Sequence, residues 1–185
     1  LDGSSLADPV RIDGAERYLG KLDSGHRIFV GNGSLYALSP QGQVSALASD
    51  FDPAVLPVVG RDRVLTKKPG PRWDFRLVGL SGAIDANTGV EIAEQQRADR
   101  FEYGYSRVAR AFFWATGATP VYVNGLVPER LLRINEANGN MVTLASANSG
   151  LANLSVTISP DGARLLLVEG AAGRGRLYDF ERGTE

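Results

Sequence analysis

Arg27-Ile28-Phe29-Val30, Arg63-Val64-Leu65, Arg110-Ala111-Phe112-Phe113 and Arg164-Leu165-Leu166-Leu167 are four versions of one phrase, in which an Arg opens a short apolar run. A second strand-like phrase ending in a polar, Gly-containing turn follows each one. These read Leu35-Tyr36-Ala37-Leu38 before Ser39-Pro40-Gln41-Gly42, and Leu77-Val78-Gly79-Leu80 leading to Asp85-Ala86-Asn87-Thr88-Gly89. The third is Leu131-Leu132-Arg133-Ile134 before Asn135-Glu136-Ala137-Asn138-Gly139, and the fourth is Leu177-Tyr178-Asp179-Phe180 before Glu181-Arg182-Gly183. The unit recurs at intervals of about 40–55 residues, long enough for several short strands but too short for a domain.

A period of that size, with strand signals and turn residues in every unit, points to an all-β, propeller-type array of about four four-stranded blades. The blades run approximately over 14–50, 51–98, 99–147 and 148–185 of a single domain spanning 1–185, with a further strand at 8–13. Blade one uses 17–22, 26–30, 34–39 and 43–48. Blade two uses 55–59, 63–67, 73–80 and 90–93. Blade three uses 105–108, 110–116, 130–135 and 141–145, and blade four 155–159, 163–169 and 175–180. Runs such as Leu165-Leu166-Leu167-Val168 and Phe112-Phe113-Trp114 are apolar without alternation, as expected of middle strands covered on both faces. Blade four lacks an outer strand, and Asp8-Pro9-Val10-Arg11-Ile12-Asp13 alternates as an edge strand does. Lending 8–13 to blade four closes the ring and removes a sheet edge. The rival arrangement is a part of a larger propeller, completed by an oligomer or a partner chain.

Composition narrows the chemistry. The chain has 185 residues, 43% of them hydrophobic, and a formal net charge of −1. That is enough apolar material for a core, and the charge balance gives no reason to expect nucleic-acid binding. There is no Cys and one His, which excludes thiolate sites and His-cluster metal sites. No apolar run approaches the roughly 18 residues of a membrane-spanning helix, so membrane insertion is not expected.

The phrase Ile158-Ser159-Pro160-Asp161-Gly162-Ala163-Arg164-Leu165-Leu166-Leu167-Val168 resembles the S-P-D-G-x-x-L hairpin of bacterial WD40-like, YVTN-type and TolB-type propeller repeats. Arg176-Leu177-Tyr178-Asp179-Phe180-Glu181-Arg182-Gly183 looks like the strand and turn that follow it there. Gly33-Ser34-Leu35-Tyr36-Ala37-Leu38 with Gly42 is similar to a quinoprotein-like blade phrase. Asp23-Ser24-Gly25, Gly60-Arg61-Asp62 and Ser106-Arg107-Val108-Ala109 stand where S-P-D-G would be in the other blades. The resemblance implies a bacterial, extracytoplasmic protein, periplasmic or secreted.

Candidate sites divide by chemistry. His26 beside Gly25 reads as a hairpin residue, and no G-x-S-x-G elbow accompanies it. Asp85-Ala86-Asn87-Thr88-Gly89 and Asn135-Glu136-Ala137-Asn138-Gly139-Asn140 have calcium-type oxygens but no closing acid, so they read as turns. Asp50 and Asp52 before Pro53 read as loop residues. The inner strands carry almost no carboxylates, against a channel metal. Gly170-Ala171-Ala172-Gly173-Arg174-Gly175-Arg176 reads as a hairpin tip, since no helix follows to hold a phosphate. Two long insertions stand out: the basic, Pro-stiffened Lys67-Lys68-Pro69-Gly70-Pro71-Arg72-Trp73-Asp74-Phe75-Arg76, and the apolar 117–128 containing Tyr122. Loops on a rigid scaffold are where recognition side chains gather. The binding candidates are therefore Arg72, Trp73, Asp74, Phe75 and Tyr122, against a packing role for Trp73 and Phe75. The expected function is a non-catalytic binding or scaffold module that engages a protein or polymer through rim loops, with no metal, cofactor or catalytic residue. The alternative is a fragment or subunit of a larger propeller enzyme whose catalytic groups lie elsewhere.

Overall fold

Four antiparallel meanders follow one another along the chain. In the computed structural model, which describes residues 10–70, 74–87, 101–116, 129–147, 154–169 and 174–182, every regular element is a strand. The first sheet holds β1 (Arg17–Lys21), β2 (Arg27–Gly31), β3 (Ser34–Leu38) and β4 (Val44–Ala48). The second holds β5 (Val58–Val59), β6 (Arg63–Lys67), β7 (Phe75–Gly79) and β8 (Gly82–Ala86). In the third are β9 (Phe101–Ser106), β10 (Ala111–Thr116), β11 (Glu129–Asn135) and β12 (Met141–Ala147), and the fourth has three strands, β13 (Leu154–Ile158), β14 (Arg164–Glu169) and β15 (Arg174–Asp179). Innermost strands neighbour one another in order, β5 beside β1, β9 beside β5 and β13 beside β9. This is a propeller-like stacking of blades.

Turn chemistry sets the registers. Between β2 and β3 only Asn32 and Gly33 intervene, at φ 49° and 69°, and Gly31 pairs directly with Ser34. Two consecutive positive φ values make the mirror-image turn whose twist matches a hairpin, and Asn-Gly is its preferred sequence. The first hairpin of each blade closes on a backbone pair. Leu22 donates to the His26 carbonyl at 2.9 Å, Gly60 to Arg63 at 2.8 Å and Ser159 to Arg164 at 2.9 Å, while Ser106 pairs with Ala111. The structurally equivalent residues are therefore His26, Arg63, Ala111 and Arg164. This corrects the sequence repeat, because only Arg63 and Arg164 coincide. Arg27 falls one place later, and Arg110 one place earlier, in a turn at φ 47°.

Once the registers are aligned, the packing follows one rule. The residue after the closing position faces the preceding blade, and the next one faces the following blade. Ile28, Leu35 and Ala37 meet Val64 and Phe51 between blades one and two. Leu65, Phe75 and Leu77 meet Phe112, Trp114, Leu132 and Ile134 between two and three. Ala111, Phe113 and Leu131 meet Leu165, Leu167 and Tyr178 between three and four. The rings of Phe113 and Phe180 stack across that last joint with centroids 5.0 Å apart. The middle strands of blades two and three lie between two such joints, which explains why their runs are apolar rather than alternating, whereas in blade four Leu165 and Leu167 are buried and Leu166 is exposed.

Three expectations change. The outer strand of blade two is β8 at Gly82–Ala86, not 90–93, which lies outside the described residues. A two-residue connection, Leu80-Ser81, turns the chain back at once, so Asp85 and Ala86 belong to a strand and not to a turn. The inner strand of blade three ends at Ser106, because Arg107 to Arg110 form the turn. Finally, residues 10–12 form no strand, and none joins the fourth sheet. They run beside blade one instead, where the Val10 side chain lies against Gly42 and Ala15 donates to the Ile12 carbonyl.

Candidate functional site

The inner strands and first hairpin turns converge on a cleft of about 430 Å³. All four blades contribute to its walls. Leu19 comes from β1, Pro57, Val58 and Val59 from the second blade, Tyr105 and Arg107 from the third, and the Ser159–Gly162 turn from the fourth. Its lining mixes aliphatic side chains (Leu19, Val58, Val59) with polar ones (Arg107, Ser159, Asp161), the usual make-up of a recognition cleft.

The turns around this cleft are tied to one another by charge and by backbone donors. The Asp23 amide donates to the Arg61 carbonyl at 2.7 Å, and Arg61 Nε donates to Asp23 Oδ2 at 2.6 Å. Arg107 donates to the other oxygen of the same carboxylate. Blades one, two and three thus share one acid. Arg110 pairs with Asp62 at 2.7 Å, and Ser106 Oγ donates to the Gly162 carbonyl, joining blade three to blade four. In the fourth turn, Asp161 Oδ1 accepts from the Ser159 hydroxyl at 2.5 Å and from the Ala163 amide at 2.9 Å. These bonds hold its carboxyl below the usual range, the Ser159 hydroxyl first.

Glu136 is the most buried charged group among the described residues, 1% exposed. Its Oε1 accepts from the Asp62 and Arg63 amides at 2.8 and 3.1 Å, and its Oε2 accepts from the Tyr105 hydroxyl at 2.6 Å. Burial, reinforced by the Glu136 carboxylate, pushes the Tyr105 phenol well above its ordinary range. The carboxylate crosses so close to blade two that a Cβ on Gly60 would stand 2.4 Å from Oε1. The calcium-type oxygens of this segment are engaged within it. Asn135 Oδ1 accepts from the Ala137 amide at 2.9 Å, and Asn138 Oδ1 from the Asn140 amide at 3.0 Å. Such Asx bonds shape turns. Among the described residues no three acidic or His side chains cluster as a metal site. His26 Nδ1 lies 3.0 Å from Ser24 Oγ in the exposed turn of blade one.

Of the binding candidates, Asp74 and Phe75 lie at the opposite rim, because β6 runs away from the cleft before the chain returns in β7. Arg72, Trp73 and Tyr122 lie outside the described residues. The Asp74 carbonyl accepts from the Lys68 amide at 2.8 Å, closing the loop's neck. Phe75 is 2% exposed and meets Trp114 edge-on with centroids 4.7 Å apart, so it packs the core. Among the described residues of the loop, the basic side chains of Lys67, Lys68 and Arg76 are paired with acids. Lys67, itself buried, donates to Asp52 at 2.8 Å and to the carbonyls of Lys68 and Gly70 at 3.0 Å each. Lys68 pairs with Asp85 at 2.9 Å, and Arg76 bridges Asp85 at 2.8 Å to Asp50. Arg76 and then Lys68 hold the Asp85 carboxyl below its usual range. Sequence reasoning found the loop but missed this neutralisation, whose acids come from 9 to 26 positions away.

Acid should loosen the cleft rim. Arg61 first, and then the charge of Arg107, hold the Asp23 carboxyl below its ordinary value. A depressed folded pKa contributes stability above the unfolded value of about 3.9 that is lost as pH falls through the folded one. The melting temperature is expected to stay level down to about pH 4 and then fall, with a shallower acid slope in Asp23→Asn. An unchanged slope in that variant, followed by circular dichroism, would remove Asp23 from the account.

No protein-family model matches the sequence, and no curated protein matches it. Among solved structures, a chain of the mitotic checkpoint complex is similar over 98% of this chain and 56% of its own, with 11% identity and a TM-score of 0.42. Streptogramin B lyase is similar over 84% of this chain and 51% of its own (14% identity, TM-score 0.35). PorZ, a surface component of the type-IX secretion system of Porphyromonas gingivalis, is similar over 91% of this chain and 28% of its own (11% identity, TM-score 0.39). The chain thus spans about half of the first two proteins and less than a third of the last.

Proposed function

We propose that the chain is a non-catalytic binding module that seats a segment of a protein or polymer in the axial cleft, with the surrounding turns as the contact rim. One observation carries this reading: all four blades contribute to a single cleft whose turns are fixed to one another by the Asp23, Asp62 and Ser106 contacts. A rigid, partly apolar concavity with a few placed polar groups binds without a large ordering cost. The opposite rim is the second reading. There Lys67 anchors the start of the connection whose sequence includes Arg72, Trp73 and Asp74.

Selection of ligands from a random peptide display library and an oligosaccharide panel tests both readings. Pro160→Trp and Arg107→Ala alter the cleft at exposed positions, and Trp73→Ala alters the loop. The expected result is ligands whose affinity falls at least about tenfold, or about 1.4 kcal/mol, with the cleft variants and holds with Trp73→Ala. The reverse pattern moves the site to the loop rim, and a panel that yields no ligand removes the binding reading.

A further inference from the structure

On the binding reading above, the charges of the cleft select what enters it. The lining holds two ionised side chains, Arg107 and Asp161. They stand on adjoining turns, since a Cβ on Gly162 would lie 3.0 Å from the Arg107 amide nitrogen. Their states differ. Arg107 donates to Asp23, so its charge is already met by an acid of blade one, and it retains further N–H groups. Asp161 is exposed, and its Oδ1 takes both bonds that shape the turn, from the Ser159 hydroxyl and the Ala163 amide. Oδ2 is left as an acceptor. Among the described residues this carboxylate enters no ion pair, because the neighbouring Arg164 pairs with Asp179 instead, at 3.4 Å. Beside the two charges lie Leu19, Val58 and Val59, which are half-buried, and Pro57, which is buried. Tyr105 spends its hydroxyl proton on Glu136 and so offers the cleft no donor.

We propose, resting on that binding reading, that the segment seated in the cleft is a polypeptide with a Lys or Arg next to an aliphatic residue. The cation pairs with Asp161, the aliphatic side chain covers Leu19, Val58 and Val59, and Arg107 donates to a backbone carbonyl. Charge complementarity carries the choice. Among the described residues, the lining charge without a counter-ion is the negative one, so an acidic segment would set like charges together at a cost. A neutral polysaccharide supplies neither the cation nor the aliphatic side chain. Seated against apolar walls, the pair with Asp161 loses water and is stronger than the same pair on an open surface.

A positional-scanning library of hexapeptides, blocked at both ends so that no terminal charge contributes, is the probe, read by fluorescence polarisation beside the oligosaccharide panel. Pools with Lys or Arg next to Leu, Ile or Val are expected to bind at least about fivefold more tightly than pools with Glu or Gln in the basic position. Acetylating the Lys of the best such peptide should lose the same factor, and Asp161→Asn should abolish the preference. Asn keeps an Oδ1 for the Ser159 and Ala163 bonds, so the turn is retained. If that variant unfolds, the acetylated peptide reads the same charge on the unaltered protein. Peptides whose binding is lost with Pro160→Trp but which show no basic preference, or which keep it in Asp161→Asn, overturn this proposal and leave the binding reading standing. Ligands drawn solely from the oligosaccharide panel do the same. A cleft that binds nothing from either source removes both.

Discussion

Glu136→Ala is expected to lower the unfolding free energy by about 3 kcal/mol, against about 1 kcal/mol for Glu136→Gln. The carboxylate accepts from three donors, the Asp62 and Arg63 amides and the Tyr105 hydroxyl. Removing it strands those donors in a part-buried turn, and an unsatisfied buried group costs roughly 1–3 kcal/mol. Gln keeps the length and one oxygen for the two amides, and the Tyr105 hydroxyl can rotate to accept from the new NH₂. Urea unfolding gives both values. A double-mutant cycle with Gly60→Ala sharpens the test. The added methyl meets Glu136 Oε1 at 2.4 Å but also Phe112 Cζ at 2.8 Å, so the Gly60→Ala penalty should shrink, and not vanish, once Glu136 is Ala. Equal losses for the Ala and Gln variants would mean that the hydrogen bonds contribute little.

Much of the architecture was legible because each hairpin is local. Apolar runs bounded by Gly, Asn, Asp and Pro located all four sheets, and the three-stranded fourth blade followed from the strand phrases alone. Register was harder. The shared Arg suggested an alignment that the turns contradict, since the first hairpin loops hold two to four residues and in blades one and three the closing residue is the one next to the Arg. A one-residue shift moves a side chain to the opposite face of a sheet, so an alignment by letters misplaces Arg27 and Arg110 while the apolar runs still mark the core. The site was less legible still. Glu136 lies in a segment with the letters of a turn, and its donors are 31, 73 and 74 positions away in sequence. Nothing local marks such a contact. A lone acid after a strand whose blade neighbour carries Gly60 is the faint signal that exists. For the loop at 67–76, the letters showed the positive charge but not the acids brought to it by β8 and by the connection after β4.

The Glu136 contact and the core between blades two and three belong to one joint, which makes that joint the stability centre of the array. Trp114→Ala is accordingly expected to produce the largest loss of any single truncation, about 4 kcal/mol and roughly 10 °C in melting temperature. Trp114 is 1% exposed and lies among Leu65, Phe75 and Leu77 of blade two. Its edge-on contact with Phe75 adds a directional term to the burial. Truncation opens a cavity bounded by two sheets, and each is pinned by its own hairpins, so collapse to fill it is restricted. Trp114→Phe keeps a ring against Phe75 and should lose less than half as much. The chain has two Trp, so a Trp73→Phe background leaves Trp114 as the sole indole reporter, with blue-shifted emission in the folded state. Thermal unfolding followed by that emission and by circular dichroism should coincide if the joint melts with the whole array. A loss below about 1 kcal/mol in Trp114→Ala, or emission that changes well before the sheets do, would mean that the blades are held by something other than this joint.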